Sequence, residues 1–158
     1  MNKNLVLLDL EETLIESFTL SHILPYNIAK VEHFLSTLEG DTKLGLMSWA
    51  IWEWSQVEKA LFDEVSEQLT AKGITQEFDP DFLLTIKDWE HFLQDAIGST
   101  KVPLAIDKPE LLFRARSSKA FNPYTNVFLI DDMVEHNLVV TSKHITLTVL
   151  NISSMCIN

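Results

Sequence analysis

The chain has one cysteine, four glycines and five prolines in 158 residues. A lone Cys156 excludes an intramolecular disulfide and any cysteine-rich zinc site. The scarcity of glycine and proline excludes collagen-like and low-complexity chains. No apolar run approaches the roughly 18 residues that a membrane-crossing helix needs. The first run, Leu5–Leu8, stops at Asp9 and is too short for the apolar core of a signal peptide, so a cytoplasmic location is the expectation. Basic residues are few as well: 12 Lys+Arg stand against 23 Asp+Glu, a formal net charge of -11. A general nucleic-acid coat and a basic membrane-surface protein both work by neutralising anions, and this balance excludes them as classes. It leaves room for one small local phosphate site.

What is present is enough apolar material, 46% of residues, to fill one globular core. Short apolar runs recur and each stops at a polar residue: Leu5–Leu8 before Asp9, Leu44–Met47 before Ser48, Phe82–Ile86 before Lys87, Val127–Ile130 before Asp131, and Ile145–Leu150 before Asn151. Continuous runs of this length suit strands buried on both faces. Helical spacing fills the intervals, over Asn27 to Leu38, Glu53 to Lys72 with Gly73 as its stop, Asp88 to Ile97, and Glu110 to Arg116. Strands alternating with helices predict an α/β fold, a three-layer doubly wound parallel sheet of five strands. One domain over residues 1–150 is expected, with 151–158 as a frayed tail.

In open parallel sheets ligands bind beyond the carboxyl ends of the strands. The residues that close the runs are therefore the candidates: Asp9, Glu11, Ser48, Asp131 and Asp132. A carboxylate can attack phosphorus while a second works as acid and base. Asp9 and Glu11, two apart in an extended stretch, are predicted to face one pocket. Asp131 and Asp132 close another strand, and carboxylates gathered together call for a hard divalent cation. Ser48 offers a hydroxyl, and Lys108, in Asp107-Lys108-Pro109-Glu110, offers a point charge ahead of a helix. Lys87 is its rival as the second candidate cation at a strand end. Nucleophile, metal ligands, hydroxyl and cation are what phosphoryl transfer requires.

With these residues in view the chain resembles the haloacid-dehalogenase-like (HAD) superfamily of phosphatases and related enzymes. Leu5–Leu14 is similar to the family's first motif, an apolar strand followed by Asp-x-Asp-x-Thr. Gly45-Leu46-Met47-Ser48 is similar to the second, Lys108-Pro109-Glu110 to the lysine motif, and Val127-Phe128-Leu129-Ile130-Asp131-Asp132 to the acidic metal motif, all in the family's order. The resemblance implies a sheet order of 3-2-1-4-5 and Mg²⁺ as cofactor. It implies Asp9 as a nucleophile that becomes an aspartyl-phosphate, and Glu11 as acid/base that also gives a backbone carbonyl to the metal. Ser48 and Lys108 would hold the phosphoryl group, and Asp131 and Asp132 would hold the metal. The implied function is hydrolysis of a phosphomonoester, whether a small molecule, a nucleotide, a nucleic-acid end or a phosphoprotein.

Two features depart from the family's pattern. Glu11 stands where its phosphatases usually have Asp, which adds a methylene between backbone and acid. That motivates a second reading, a weakly active or inactive HAD-fold protein that binds a partner or phosphorylated ligand. The interval from Leu14 to Met47 is also short, so the site is expected to be open or covered by a minimal helical cap within residues 14–42. Other signals have plainer readings. Ser48 suits a helix cap. Trp49, Trp52, Trp54 and Trp89 suit core packing, with Trp49 nearest the site. Lys101, Lys108, Arg114, Arg116 and Lys119 form a basic stretch that reads as a solvated helix face.

Overall fold

A computed structural model describes residues 2–17, 22–48, 53–98, 108–142 and 144–157. Among the described residues there are six strands and four α-helices, alternating as far as α3. They are β1 (Lys3–Leu8), α1 (Pro25–Thr37), β2 (Asp41–Met47), α2 (Gln56–Ala71), β3 (Phe78–Leu84), α3 (Ile86–Ile97), α4 (Lys108–Ala115), β4 (Asn126–Asp131), β5 (Leu138–Thr141) and β6 (Thr146–Asn151). One sheet carries all six strands in the order β3-β2-β1-β4-β6-β5. Every pairing is parallel except β5 with β6. The class is therefore α/β, as the alternation of runs and helical spacing predicts.

The strand alternation divides the core into two layers. Leu5 and Leu7 of β1 pack with α3 and α4, through Trp89, Leu93, Leu111 and Leu112. Val6 and Leu8 face the other way and pack with α1 and α2, through Ile28, Val31, Val65 and Leu69. A strand that buries both faces needs apolar side chains at every position, which is why β1 reads as an unbroken run. The helix ends follow local rules. Ser55 and Glu58 form a reciprocal capping box at the start of α2, and Thr85 and Asp88 form one at the start of α3. Gly73, with φ +101, ends α2 in a conformation that costs other residues steric strain.

Several expectations need correction. The sheet has six strands, not five, because Leu138–Thr141 pairs antiparallel along β6. The third strand runs Phe78–Leu84 and stops before Thr85, so Ile86 and Lys87 begin α3 instead of closing β3. The helix expected within a cap over residues 14–42 is α1, and it packs on the sheet face. Residues 151–154 are not frayed: Asn151 ends β6, and Ile152 is buried beneath Lys30, whose Nζ donates to the Ile152 carbonyl at 3.0 Å.

Gly45 lies mid-strand in β2 because nothing larger fits. A Cβ built there would stand 2.6 Å from Leu7 Cδ2 and 3.0 Å from both Phe82 Cβ and Phe82 O. Overpacking of this kind costs about 1–3 kcal/mol. Gly45→Ala is expected to destabilise the fold by that amount and so to lower the urea midpoint, without a change in the slope of the transition. An equal or raised midpoint would show that the Leu7 and Phe82 contacts give way freely.

Candidate active site

The carboxyl ends of β1, β2 and β4 meet at one edge of the sheet. The β1–β4 ladder pairs Leu8 with Ile130, and the Asp9 amide donates to the Ile130 carbonyl at 3.1 Å. That bond carries the chain one residue past the strand and sets Asp9 beside Asp131. On the other side of β1, Met47 ends β2 and Ser48 follows, buried.

After Asp9 the backbone folds into a turn. The amides of Thr13, Leu14 and Ile15 all donate to the Leu10 carbonyl, at 3.2, 2.8 and 3.1 Å. Leu10 goes into the core and Glu12 takes φ +60, a left-handed conformation that is strained for a residue with a side chain. The turn tucks Thr13, fully buried, under the site, where its hydroxyl donates to Asp9 Oδ2 at 3.2 Å and lies 3.4 Å from Asp132 Oδ1. Asp9 and Glu11 do share one cavity, as predicted, but through this turn and not through an extended strand end.

Lys108 reaches the site from the first position of α4. Its Nζ donates to Asp9 Oδ1 at 2.6 Å and to Asp131 Oδ2 at 2.7 Å, with all three residues buried. A helix N-terminus repels a cation, so the placement depends on these two carboxylates. The second oxygen of Asp131 accepts from the Met133 amide at 2.9 Å. Lys87 is elsewhere, an exposed residue that pairs with Glu53 at 3.0 Å. The basic stretch is not one surface either: Lys108 is buried here, Arg114 pairs with Glu110, and Arg116 lies over the Phe113 ring. Trp49, Trp52 and Lys101 fall outside the described residues.

The cavity has a volume of about 680 Å³ and is lined by Asp9, Glu11, Glu12, Glu16, Ser17, Ser48, Lys108, Pro109, Asp131, Asp132, Met133 and Val134. All six candidate site residues are on its wall. Sequence reasoning passed over Glu12, Glu16, Ser17, Met133 and Val134, and it gave Thr13 no part. Thr13 stood within the first motif, so a signal existed there; the others follow from the turn and the loop after β4, which no periodicity marks.

Oxygens of Asp9, Asp131 and Asp132 lie within 4.8 Å of one another. Hard oxygen donors gathered around one ammonium are the kind of group that could hold a hard divalent cation. Glu11, half-buried, stands on the same wall, and its side-chain carboxylate is not one of these three. Burial pushes the Asp9 carboxyl up from 3.8 to about 7; Lys108 opposes the shift and Asp131 adds to it. Desolvation wins although the ammonium is in contact, because a second carboxylate shares the same cation.

No protein-family model matches the chain. Neither the curated proteins nor the solved structures contain a match to it. The site must therefore be judged on its own geometry.

An acid whose folded pKa is raised binds its proton more tightly when folded. The favourable contribution is complete below the unfolded value of 3.8 and is lost as pH rises through about 7. Asp9→Asn removes that titration. In metal-free protein the variant is expected to melt close to wild type near pH 4 and above it at pH 8, by a few degrees. A melting temperature below wild type at pH 8 in EDTA would mean that the Lys108–Asp9 pair is a net stabiliser.

Proposed function

We propose that the chain is a Mg²⁺-dependent phosphomonoester hydrolase of the HAD-like kind, acting through an aspartyl-phosphate on Asp9. The observation that carries the reading is Lys108 Nζ, in contact with Asp9 and Asp131 at once, in a cavity that Glu11, Ser48 and Asp132 also line. These residues come from four separate stretches of the chain and, Glu11 apart, are the residue types that the resemblance implies at those places. The sheet supports the reading too. With β5 set aside as an antiparallel edge, the parallel strands in chain order lie third-second-first-fourth-fifth, the order the resemblance implies.

Asp9, the Glu11 backbone carbonyl, Asp131 and Asp132 would hold Mg²⁺, which when bound supplies positive charge against the phosphoryl oxygens. The chain's own residues do the rest. An Asp9 carboxylate oxygen attacks phosphorus and the ester P–O bond breaks. The leaving-group oxygen takes its proton from Glu11. Ser48 and the Lys108 ammonium hold the phosphoryl oxygens. Glu11, now a carboxylate, takes a proton from water; that water attacks phosphorus, the bond to Asp9 breaks, and inorganic phosphate and the Asp9 carboxylate are released. Attack requires ionised Asp9, and its contact with Lys108 favours that form against the burial that opposes it. Thr13 fixes the other oxygen of the nucleophile.

The substrate side of the cavity is acidic, with Glu12 and Glu16 beside Glu11. The surrounding charge disfavours polyanionic substrates such as nucleic-acid ends and favours monoesters with neutral or cationic leaving groups.

The test is hydrolysis of p-nitrophenyl phosphate by EDTA-treated protein with and without added Mg²⁺. Turnover is expected only with Mg²⁺, and Asp9→Asn abolishes it. Glu11→Gln is expected to give a stoichiometric burst of nitrophenolate, because this leaving group needs no proton, followed by turnover slowed about 10²–10⁴-fold for want of a base. Absence of Mg²⁺-dependent hydrolysis in the wild type would leave the binding-protein reading, and restoration by Glu11→Asp would assign the loss to the added methylene.

A further inference from the structure

Residues 132–137, between β4 and β5, hold Asp132 and have no α-helix or strand of their own. Such a loop does not fix a carboxylate by itself, yet Asp131 and Asp132 must hold their oxygens within a few ångströms of Asp9 for a cation to bridge them. What braces the loop is Asn151, at the carboxyl end of β6 and directly opposite Asp131 in the β4–β6 ladder.

The Asn151 side-chain amide donates to the Val134 carbonyl at 2.6 Å and reaches the Asp132 carbonyl at 3.4 Å. Its side-chain oxygen accepts from the Ser153 amide at 2.8 Å and the Ser153 hydroxyl at 2.7 Å, so the group is locked in orientation from behind. Its backbone amide donates to Asn137 Oδ1 at 2.9 Å. Asn137 in turn donates to the Ser154 hydroxyl at 3.1 Å, and that hydroxyl donates to the Asn151 carbonyl at 2.8 Å. Both ends of the loop, at residues 132–134 and at 137, are thus tied to one residue. A strand is among the most rigid anchors a fold offers, and partners of ligand-bearing elements typically set metal affinity by 10–100-fold.

We propose that Asn151 is a positioning residue for the acidic pair. It touches neither substrate nor metal; it holds the loop so that Asp131 and Asp132 present their oxygens toward Asp9. The proposal rests on the metal site of the phosphatase reading and adds to it the residue that shapes that site.

The test is calorimetric titration of EDTA-stripped protein with Mg²⁺, a readout independent of turnover. Asn151→Ala is expected to raise the Mg²⁺ Kd about tenfold with the circular dichroism unchanged, and to raise the Mg²⁺ concentration at which hydrolysis is half-maximal in parallel. Ser153→Ala, which removes one bond behind Asn151 and leaves the loop contacts in place, is expected to stay within about twofold of wild type. Asn151→Ala that is folded and binds Mg²⁺ as the wild type does would overturn the proposal and leave the phosphatase reading standing. Should that variant not fold, Asn137→Ala cuts the other end of the brace, and an unchanged Kd there overturns the proposal equally. A wild type that binds no Mg²⁺ removes the metal site itself and the proposal with it.

Discussion

The site depends on one ammonium shared by two buried carboxylates. Lys108 Nζ sits between Asp9 and Asp131 at hydrogen-bond distance from each. Taking three charged groups out of water is costly, and their mutual attraction repays this only when geometry is tight and the remaining lone pairs are satisfied. Here they are. The second Asp9 oxygen accepts from Thr13, and the second Asp131 oxygen accepts from the Met133 amide. The arrangement is asymmetric in its consequences. Loss of one carboxylate leaves the cation with a partner; loss of the cation leaves two carboxylates facing each other in a dry pocket. The lysine is therefore the group that permits this acidic centre to fold.

That dependence explains the form of the local structure. A carboxylate at a strand end can be placed by backbone pairing alone, as Asp9 and Asp131 are by the β1–β4 ladder. Asp132 lies past the strand and needs other support. Thr13 near its carboxylate and Asn151 on its carbonyl come from separate parts of the chain. The left-handed Glu12 belongs to the same account, since the turn that strains it is the turn that brings Thr13 back under Asp9. Local strain at this point is offset by two fixed oxygens at the site.

The sequence made the class of fold and much of the site legible for a physical reason. Buried parallel strands are uniformly apolar, so Leu5–Leu8 and Val127–Ile130 mark themselves, and the polar residue ending each run is carried to the sheet edge. The same logic failed where that contrast weakens. β5 is an edge strand with Leu138 and Val139 exposed, so burial imposes no long apolar run on it. Phe82–Ile86 ran together two elements, because the last apolar residues of β3 and the first of α3 flank a single Thr85; the capping box with Asp88 was the available signal. That error made Lys87 look like a strand-end cation, and the ion pair with Glu53 shows it as a surface residue. Asn151 closes the run Ile145–Leu150 and so carried the same positional signal as Asp131, but an uncharged amide offers neither a nucleophile nor a metal-binding carboxylate, and its part as a brace did not show.

The same distinction bears on Glu11. Of the acids at the site, Asp9 and Asp131 are bound by ammonium, hydroxyl or amide, and their positions follow from bonds that can be named. Glu11 is set by the turn after β1 alone, half-buried on the cavity wall. For the nucleophile and cation of the proposed hydrolysis, immobility would lower the barrier, because the reacting atoms must already be in line. For an acid/base that serves first a leaving group and then a water, a longer side chain with one more rotatable bond reaches both positions at the cost of being held less firmly. The wall around it is acidic, with Glu12 and Glu16 adjacent in the same cavity. A glutamate carries the same carboxyl group as an aspartate, so the added methylene bears on precision of placement, not on the chemistry the group can perform.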